Sequence, residues 1–226
     1  MIDAVIIVSG GMDSVTLLHY LIKTKKVTPS VITFLYNQKH DKEVLCAKEN
    51  AEMLHCKKHR ILDISFLESL CSASSLVSPH IEIPDMKDVK DDPQPSTYVP
   101  NRNMIFLALA AAYAENCNVN VVYYGAQKHD EYGYWDTTPL FLEQLNQVYG
   151  LNRKTRVHIK APFINYSKAD ILKLGMSLGV DYGKTWSCYK GEPIACGSCP
   201  TCAERLNAFS DCGIKDPLTY STKMLL

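Results

Sequence analysis

The sequence lacks net charge, long apolar runs and the two best-known nucleotide-binding motifs. Its 24 basic residues balance 24 acidic ones, which argues against binding nucleic acid because a phosphate backbone demands clustered positive charge. No apolar run approaches the length of a membrane span, and Asp3 interrupts the first apolar stretch, which is too short for a secretory signal. We therefore expect a cytoplasmic protein that contacts neither nucleic acid nor membrane.

The composition permits a full hydrophobic core. Apolar residues make up 46% of 226 positions, enough for one large domain or for one domain with a small appendage. Nine cysteines without an export signal indicate a reducing compartment. Four of them lie between Cys188 and Cys202, a crowding that indicates metal binding before disulfides.

Apolar stretches typical of strands alternate with helical patterns along the chain. Strands are predicted at residues 4–8, 30–36, 60–64, 119–124 and 157–160, and helices after residue 13 and at 43–54, 105–114, 139–148 and 168–178. This rhythm predicts an α/β fold with a parallel sheet flanked by helices. Residues 71–98 hold four prolines and a charged run, so we expect a long mobile loop there. We expect a nucleotide-binding domain over residues 1–184 and a small cysteine-organised lobe over residues 185–226.

A glycine-rich string, Ser9-Gly10-Gly11-Met12-Asp13-Ser14, directly follows the first predicted strand. Glycines let the backbone approach an anion, and the start of the next helix presents unpaired amides to a phosphate. Asp13 or Ser14 is expected to cap that helix. The string matches neither the complete motif of P-loop NTPases nor Gly-x-Gly-x-x-Gly. The alternative is a plain glycine-rich turn.

The full string resembles the pyrophosphate loop of the N-type ATP pyrophosphatases. That resemblance implies a Rossmann-like fold of the adenine nucleotide alpha hydrolase type and an adenylating reaction that uses ATP with magnesium. It also implies a magnesium contact for Asp13. The residues implied to bind ATP are Val8, Ser9, Gly10, Gly11, Met12, Asp13, Ser14, Val15, Thr16, Leu17 and Leu18.

The cysteine cluster has the spacing Cys188-x7-Cys196-x2-Cys199-x2-Cys202. Four thiols within such a short span fit one structural, tetrahedral zinc ion per chain. Arg205 is expected to offset part of the negative charge of the site. Closely spaced cysteines also occur in iron–sulfur proteins, and free or redox-active thiols are a further alternative.

The two motifs together narrow the resemblance to the 7-cyano-7-deazaguanine synthase family. Besides the phosphate loop and the cysteines, the matching strings are Tyr36-Asn37-Gln38-Lys39-His40, Val99-Pro100-Asn101-Arg102-Asn103, Ile164-Asn165-Tyr166-Ser167-Lys168-Ala169-Asp170 and Thr185-Trp186-Ser187-Cys188-Tyr189. The resemblance implies that ATP activates the carboxylate of 7-carboxy-7-deazaguanine and that ammonia converts it, through an amide, to the nitrile. It also leaves a homodimer open.

Four side chains besides the loop are candidates for this chemistry. Two anions must meet when a carboxylate attacks ATP, so positive charge is needed, and Arg102 and Lys168 are the candidates beside Asp13. Arg102, Asn103 and Asp136 are the candidates for binding the deazapurine. The plainer alternatives are a surface arginine at a helix start, a solvated lysine and a turn aspartate.

One segment departs from the family pattern. Many members carry Tyr-Pro-Asp-Cys-Arg where this chain has Tyr134-Trp135-Asp136-Thr137-Thr138. The departure leaves room for a deviating enzyme that stops at the amide or joins the activated deazapurine to another amine. The same type of phosphate loop also serves tRNA thiolation and the amidation of nucleotides, and a nucleotide-binding module without catalysis is a further alternative.

Overall fold

The fold is built on a five-stranded parallel sheet with the strand order β3-β2-β1-β4-β5. The computed structural model describes residues 2–39, 41–89, 92, 94–128 and 134–221. The strands are β1 (Ile2–Ile7), β2 (Val27–Leu35), β3 (Lys58–Asp63), β4 (Val121–Tyr123) and β5 (His158–Lys160). All four pairings are parallel, which confirms the predicted α/β class.

Helices cover both faces of this sheet. They are α1 (Met12–Lys23), α2 (Lys42–Met53), α3 (Leu67–Leu70), α4 (Met86–Val89), α5 (Arg102–Asn116), α6 (Pro139–Tyr149), α7 (Lys168–Ser177) and α8 (Pro200–Asp211). Two short 3-10 turns span Trp135–Thr137 and Tyr182–Lys184. None of the helices in the described part of the chain is long and apolar enough to cross a membrane.

The central strand β1 feeds two hydrophobic cores because its side chains alternate between the faces of the sheet. Val5 packs into the core that contains α5 and α6. Ala4 and Ile6 pack into the core that contains α1, α7 and part of α8. All three side chains have no solvent exposure, so β1 is a rigid support for the loop that follows it.

The order of the strands places a crevice beyond the carboxyl end of β1. From β1 the chain moves outward to β2 and β3 on one side, and β4 and β5 lie on the other side. Connections that leave neighbouring strands in opposite directions open a crevice, and ligands of open parallel sheets bind there. Gly10 follows β1 and Gly125 follows β4 at this point.

The segment over residues 71–98 is packed, so the expectation of a mobile loop is wrong for its described residues. Leu76, Val77 and Ile83 are buried in the core beside α5. The amide of Met86 donates to the carbonyl of Ser198 at 2.8 Å, which ties the segment to the cysteine cluster. The prolines suggested a loop, but the apolar residues between them supply enough burial to order it.

The C-terminal segment packs into both cores of the sheet domain. Trp186 and the four clustered cysteines belong to the core with α5, and Phe209 on α8 belongs to the other. The boundary at residue 184 stays a prediction, although packing across it is continuous. Arg205 is fully buried and pairs with Asp216 at 2.6 Å instead of offsetting the thiols, which corrects the role expected for it.

Candidate active site

The loop after β1 is organised by its own hydroxyl groups. The amides of Ser9 and Gly10 both donate to Ser14 Oγ at 3.2 Å, and that hydroxyl donates to the carbonyl of Gly11 at 3.1 Å. Helix α1 begins at Met12 with Gly11 as its N-cap and without a side-chain cap, so the expectation that Asp13 or Ser14 caps it is wrong. An uncapped helix start leaves backbone amides without an intrahelical hydrogen-bond partner, and these amides can bind an anion.

Gly10 is required by both its backbone angle and its surroundings. Its φ is +98°, which L side chains rarely adopt, and a Cβ placed on it would lie 1.9 Å from the carbonyl oxygen of Glu43. The amide of Trp186 donates to the carbonyl of Gly10 at 3.1 Å. The loop is therefore held between α2 and the segment that leads to the cysteines.

The residues predicted to bind ATP divide into two groups. Ser9, Gly11, Met12, Asp13 and Ser14 line a cavity of about 250 Å³ at the crevice. The others are covered by protein, so any contact they make with a nucleotide would come from their backbone. Those with fully buried side chains are Val8, Val15, Thr16, Leu17 and Leu18. The assignment of all these residues to ATP stays a prediction.

The same cavity brings together all three candidate catalytic side chains. It extends from Asp13 on the phosphate loop to Arg102 at the start of α5, with Lys168 at the start of α7 on its wall. Asn103, a candidate for substrate binding, also lines it. These residues come from helix starts that are far apart in sequence, and the sheet places them around one space.

Asp13, Lys168 and Glu204 form a charged network on the wall of the cavity. Lys168 Nζ lies 2.8 Å from Glu204 Oε2 and 3.5 Å from Asp13 Oδ2. Burial raises the pKa of Asp13, and Lys168 opposes that rise. Within the described residues, Asp13 Oδ1 is buried without a hydrogen-bond partner. An orphaned carboxylate oxygen beside a phosphate loop fits a magnesium ligand, because Mg²⁺ prefers oxygen.

Arg102 occupies a position that helix stability would not favour. It is the first residue of α5, where a positive charge opposes the helix dipole. Its guanidinium lies 6.0 Å from the ring centre of Tyr36. Burial works to lower the pKa of Arg102, but the nearby Tyr36, Tyr189, Tyr134 and Asp136 raise it. A permanent charge in this half-buried wall suits an anionic substrate group.

Glu43 is a cavity residue that the sequence did not single out. It lies in the first turn of α2 and looks like an ordinary helix-start acid. In the structure it lines the cavity, and burial raises its pKa to about 8 although Arg102 opposes that rise. Glu204 lies beyond the first turn of α8 and was missed because only the packing of α8 brings it to Lys168.

The carboxylate of Asp136 makes a hydrogen bond within the protein. Its carboxylate is buried, and Asp136 Oδ2 accepts a hydrogen bond from the amide of Asn103 at 3.3 Å. It lies behind the cavity wall, whereas Tyr134 and Thr137 on either side of it reach the cavity. Its predicted contact with the deazapurine is untested.

The four clustered cysteines can hold a metal ion. Their sulfurs all lie within 4.8 Å of one another, and all four residues are buried. A tetrahedral ion with metal–sulfur bonds of about 2.3 Å sets its sulfurs about 3.8 Å apart. Cys196 and Cys202 have this separation, at 3.8 Å. The amides of Ser198 and Cys199 donate to the Cys196 sulfur, as in sites that hold thiolates. An iron–sulfur cubane places four irons between its thiolates and would need more room.

The cysteine segment also builds one wall of the cavity. Ser187 and Tyr189 flank Cys188, and Pro200, Thr201 and Glu204 follow Cys199 on α8. Any ion that fixes the four sulfurs therefore also fixes these neighbours.

Comparison with protein families identifies the chain. The model of the queuosine biosynthesis protein QueC matches residues 3–213. The chain belongs to the QueC family. Two curated relatives of this QueC protein are both named 7-cyano-7-deazaguanine synthase. The protein of Psychromonas ingrahamii is 43% identical over 216 residues, which cover 96% of each chain. That of Caldicellulosiruptor saccharolyticus is 43% identical over 221 residues, which cover 98% of this chain and 96% of its own. The expected family and class of enzyme are confirmed.

The fold of this QueC protein also resembles a solved structure, the U34-tRNA thiolase NcsA from Methanococcus maripaludis with its [4Fe-4S] cluster. The TM-score is 0.54 at 14% identity, over 93% of this chain and 65% of the thiolase. At that identity the likeness shows the fold alone, and it confirms the expected Rossmann-like architecture.

Thr137 and Thr138 lie in the segment that departs from the family pattern, and they have different roles in the structure. Thr137 lines the cavity, where many members carry cysteine. Thr138 accepts a hydrogen bond from the amide of Phe141 at 3.1 Å and thereby caps α6, where many members carry arginine. Trp135 stands where many members carry proline, and of the three changed positions only Thr137 lines the cavity.

Proposed function

We propose that this chain converts 7-carboxy-7-deazaguanine to 7-cyano-7-deazaguanine with ATP and ammonia. The observation that carries the proposal is the meeting of the phosphate loop, Lys168 and Arg102 around one cavity in a QueC family member. The names of the full-length relatives support the same reaction.

The chemistry needs two activations. A carboxylate oxygen of the substrate attacks the α-phosphorus of ATP, and pyrophosphate leaves. Ammonia then forms a C–N bond to the acyl carbon while the C–O bond to AMP breaks, and a proton is released as the amide forms. The amide oxygen then attacks the α-phosphorus of a second ATP and a second pyrophosphate leaves. Loss of AMP, as the C–O bond breaks, and of the two N–H protons leaves the nitrile.

The residues of the cavity can bind the charged groups of this reaction and offset their charge. The amides at the start of α1 bind phosphate oxygens, and Lys168 stands beside them to offset the charge as pyrophosphate leaves. Arg102, which lines the same cavity, binds and orients the carboxylate for its attack on the α-phosphorus. Magnesium, when bound, would offset phosphate charge, with Asp13 as its protein ligand.

For the cysteine cluster we propose one structural zinc ion. Four thiolates around one ion suit zinc, and the buried position suits a site without an open coordination place. The ion would have no step of its own in the reaction. Its contribution is to hold Ser187, Tyr189 and α8 against the cavity.

The first experiment measures what happens to ATP. With 7-carboxy-7-deazaguanine and ammonium, the protein should release AMP and pyrophosphate. Release of ADP and phosphate would contradict an adenylating loop. Guanine is the matched control, because it lacks the carboxylate that attacks ATP. It should give no release of AMP or pyrophosphate.

A second candidate function is a deviating enzyme that stops at the amide, and Thr137 in the cavity wall is the observation that favours it. If Thr137 has retuned the site, the parent protein should accumulate amide, and Thr137→Cys should shift the product toward nitrile. Thr138→Ser keeps the cap on α6 and is the matched control. An unchanged product ratio in Thr137→Cys would show that the departure is neutral.

A further inference from the structure

A second cavity lies directly beside the active-site cavity. Its volume is about 260 Å³, and it shares Gln127, Lys168 and Glu204 with the first cavity. Lys128 and Asn207, both exposed, line its outer part. The two cavities are thus separated by the side chains that they share.

The shared wall lies close to the place where ATP would react. Lys168 Nζ is 2.8 Å from Glu204 Oε2 and 3.5 Å from Asp13 Oδ2 on the phosphate loop. The second cavity therefore ends one ion pair away from the phosphate loop. A molecule that entered it would arrive beside the phosphate loop, where the proposed adenylate forms.

The first cavity has little room for a third reactant. Its volume of about 250 Å³ is below the usual range of ligand pockets, about 300–1,000 Å³. A nucleotide and a deazapurine bound at this cavity would leave no space in it for a third reactant. The nucleophile must nevertheless arrive after the adenylate has formed, so it needs a route that the two larger substrates leave open.

We propose that the second cavity is the entry route of the ammonia consumed by the reaction. This inference rests on the proposed function and names the route of its third substrate. The lining is mostly apolar, which suits neutral ammonia, and Ser167, Asn207 and Asp211 add polar groups beside the shared ion pair. In this proposal the shared side chains at the inner end admit ammonia and exclude larger amines.

Tryptophan substitutions at the outer side of the second cavity test this route, because the larger side chain narrows the cavity. Asn207→Trp should raise the KM for ammonium about tenfold or more, while kcat at saturating ammonium and the KM for ATP stay within about twofold of the parent. Ser210→Trp is the matched control, since Ser210 is exposed on the same helix outside the cavity lining and should change nothing. Lys128→Trp narrows the cavity from the opposite side and should act like Asn207→Trp.

A second measurement separates this inference from the proposed function. Exchange of labelled pyrophosphate into ATP, with 7-carboxy-7-deazaguanine and without ammonium, reports adenylation alone and should be the same in all four proteins. Normal exchange with an unchanged ammonium KM in both tryptophan variants of the cavity would overturn the entry route and leave the proposed function standing. Slower exchange with an unchanged ammonium KM would make the cavity an exit for pyrophosphate. No exchange in the parent would refute the proposed function, and this inference with it.

Discussion

The active site depends on single carboxylates whose surroundings set their charge. Asp13 shares Lys168 with Glu204, so its removal leaves the lysine paired. Asp13→Ala should lower kcat about a hundredfold or more, because the magnesium that offsets the phosphate charge would lose its protein ligand. The free energy of unfolding should change by no more than about 1 kcal/mol, since one partly exposed ion pair is lost.

Asp41→Asn is the matched control for that change, since Asp41 is exposed and makes no capping bond. Steady-state rates and thermal unfolding of both variants give the comparison. Near-normal turnover in Asp13→Ala would contradict the proposal that this loop binds ATP.

Glu43 gives a prediction about pH. Burial raises its pKa in the folded protein to about 8 from an ordinary value of 4.5, so the folded state holds this proton more tightly than the unfolded state. Stability should therefore fall as pH rises from about 4.5 to about 8. Glu43→Gln cannot lose a proton and should remove that part of the fall.

Glu52→Gln is the control for the pH prediction, because Glu52 is exposed on the same helix. Urea unfolding of the three proteins across this pH range measures the effect. Equal pH dependence of the parent and Glu43→Gln would show that Glu43 is ionised in the folded protein.

At the scale of elements, the loop between β1 and α1 can be tested through its glycines. Gly10→Ala should destabilise the protein by about 1–3 kcal/mol or more and abolish turnover, because the new Cβ meets the Glu43 carbonyl. Gly213 also has a positive φ, +67°, but a Cβ there has nothing within 4 Å. Gly213→Ala should therefore cost about 1–2 kcal/mol from backbone strain alone and leave activity intact. Equal behaviour of the two variants would contradict the close packing of the loop.

The sequence predicted elements well where apolar residues form a run or a helical pattern and poorly where they form neither. β1 and α7 were placed within about two residues, because a continuous apolar run marks the first and a helical apolar pattern marks the second. Residues 71–98 were misjudged, since their buried residues follow no period. Glu43 and Glu204 could not be assigned to the site, because only tertiary packing brings these side chains of α2 and α8 to the cavity.

For the whole molecule, the cysteine cluster links stability to activity. Cys199→Ser should lower metal content, thermal stability and turnover together, because a metal bound by four thiolates contributes to folding and its neighbours form the cavity wall. Cys117→Ser, at a half-buried cysteine outside the cluster, should change none of the three. Elemental analysis reads the metal directly. A brown parent protein containing iron would contradict zinc, and a metal-free variant with normal turnover would contradict the link to the cavity.

The central claim is that one cavity carries a carboxylate through two adenylations to a nitrile. The most direct measurement is a time course by mass spectrometry with 7-carboxy-7-deazaguanine, ATP, magnesium and ¹⁵N-labelled ammonium. The account predicts a transient amide and then a nitrile that carries the labelled nitrogen, with two AMP released for each nitrile, whereas labelled glutamine alone gives no product. An amide that persists without nitrile at long times would contradict the account and favour the enzyme that stops at the amide.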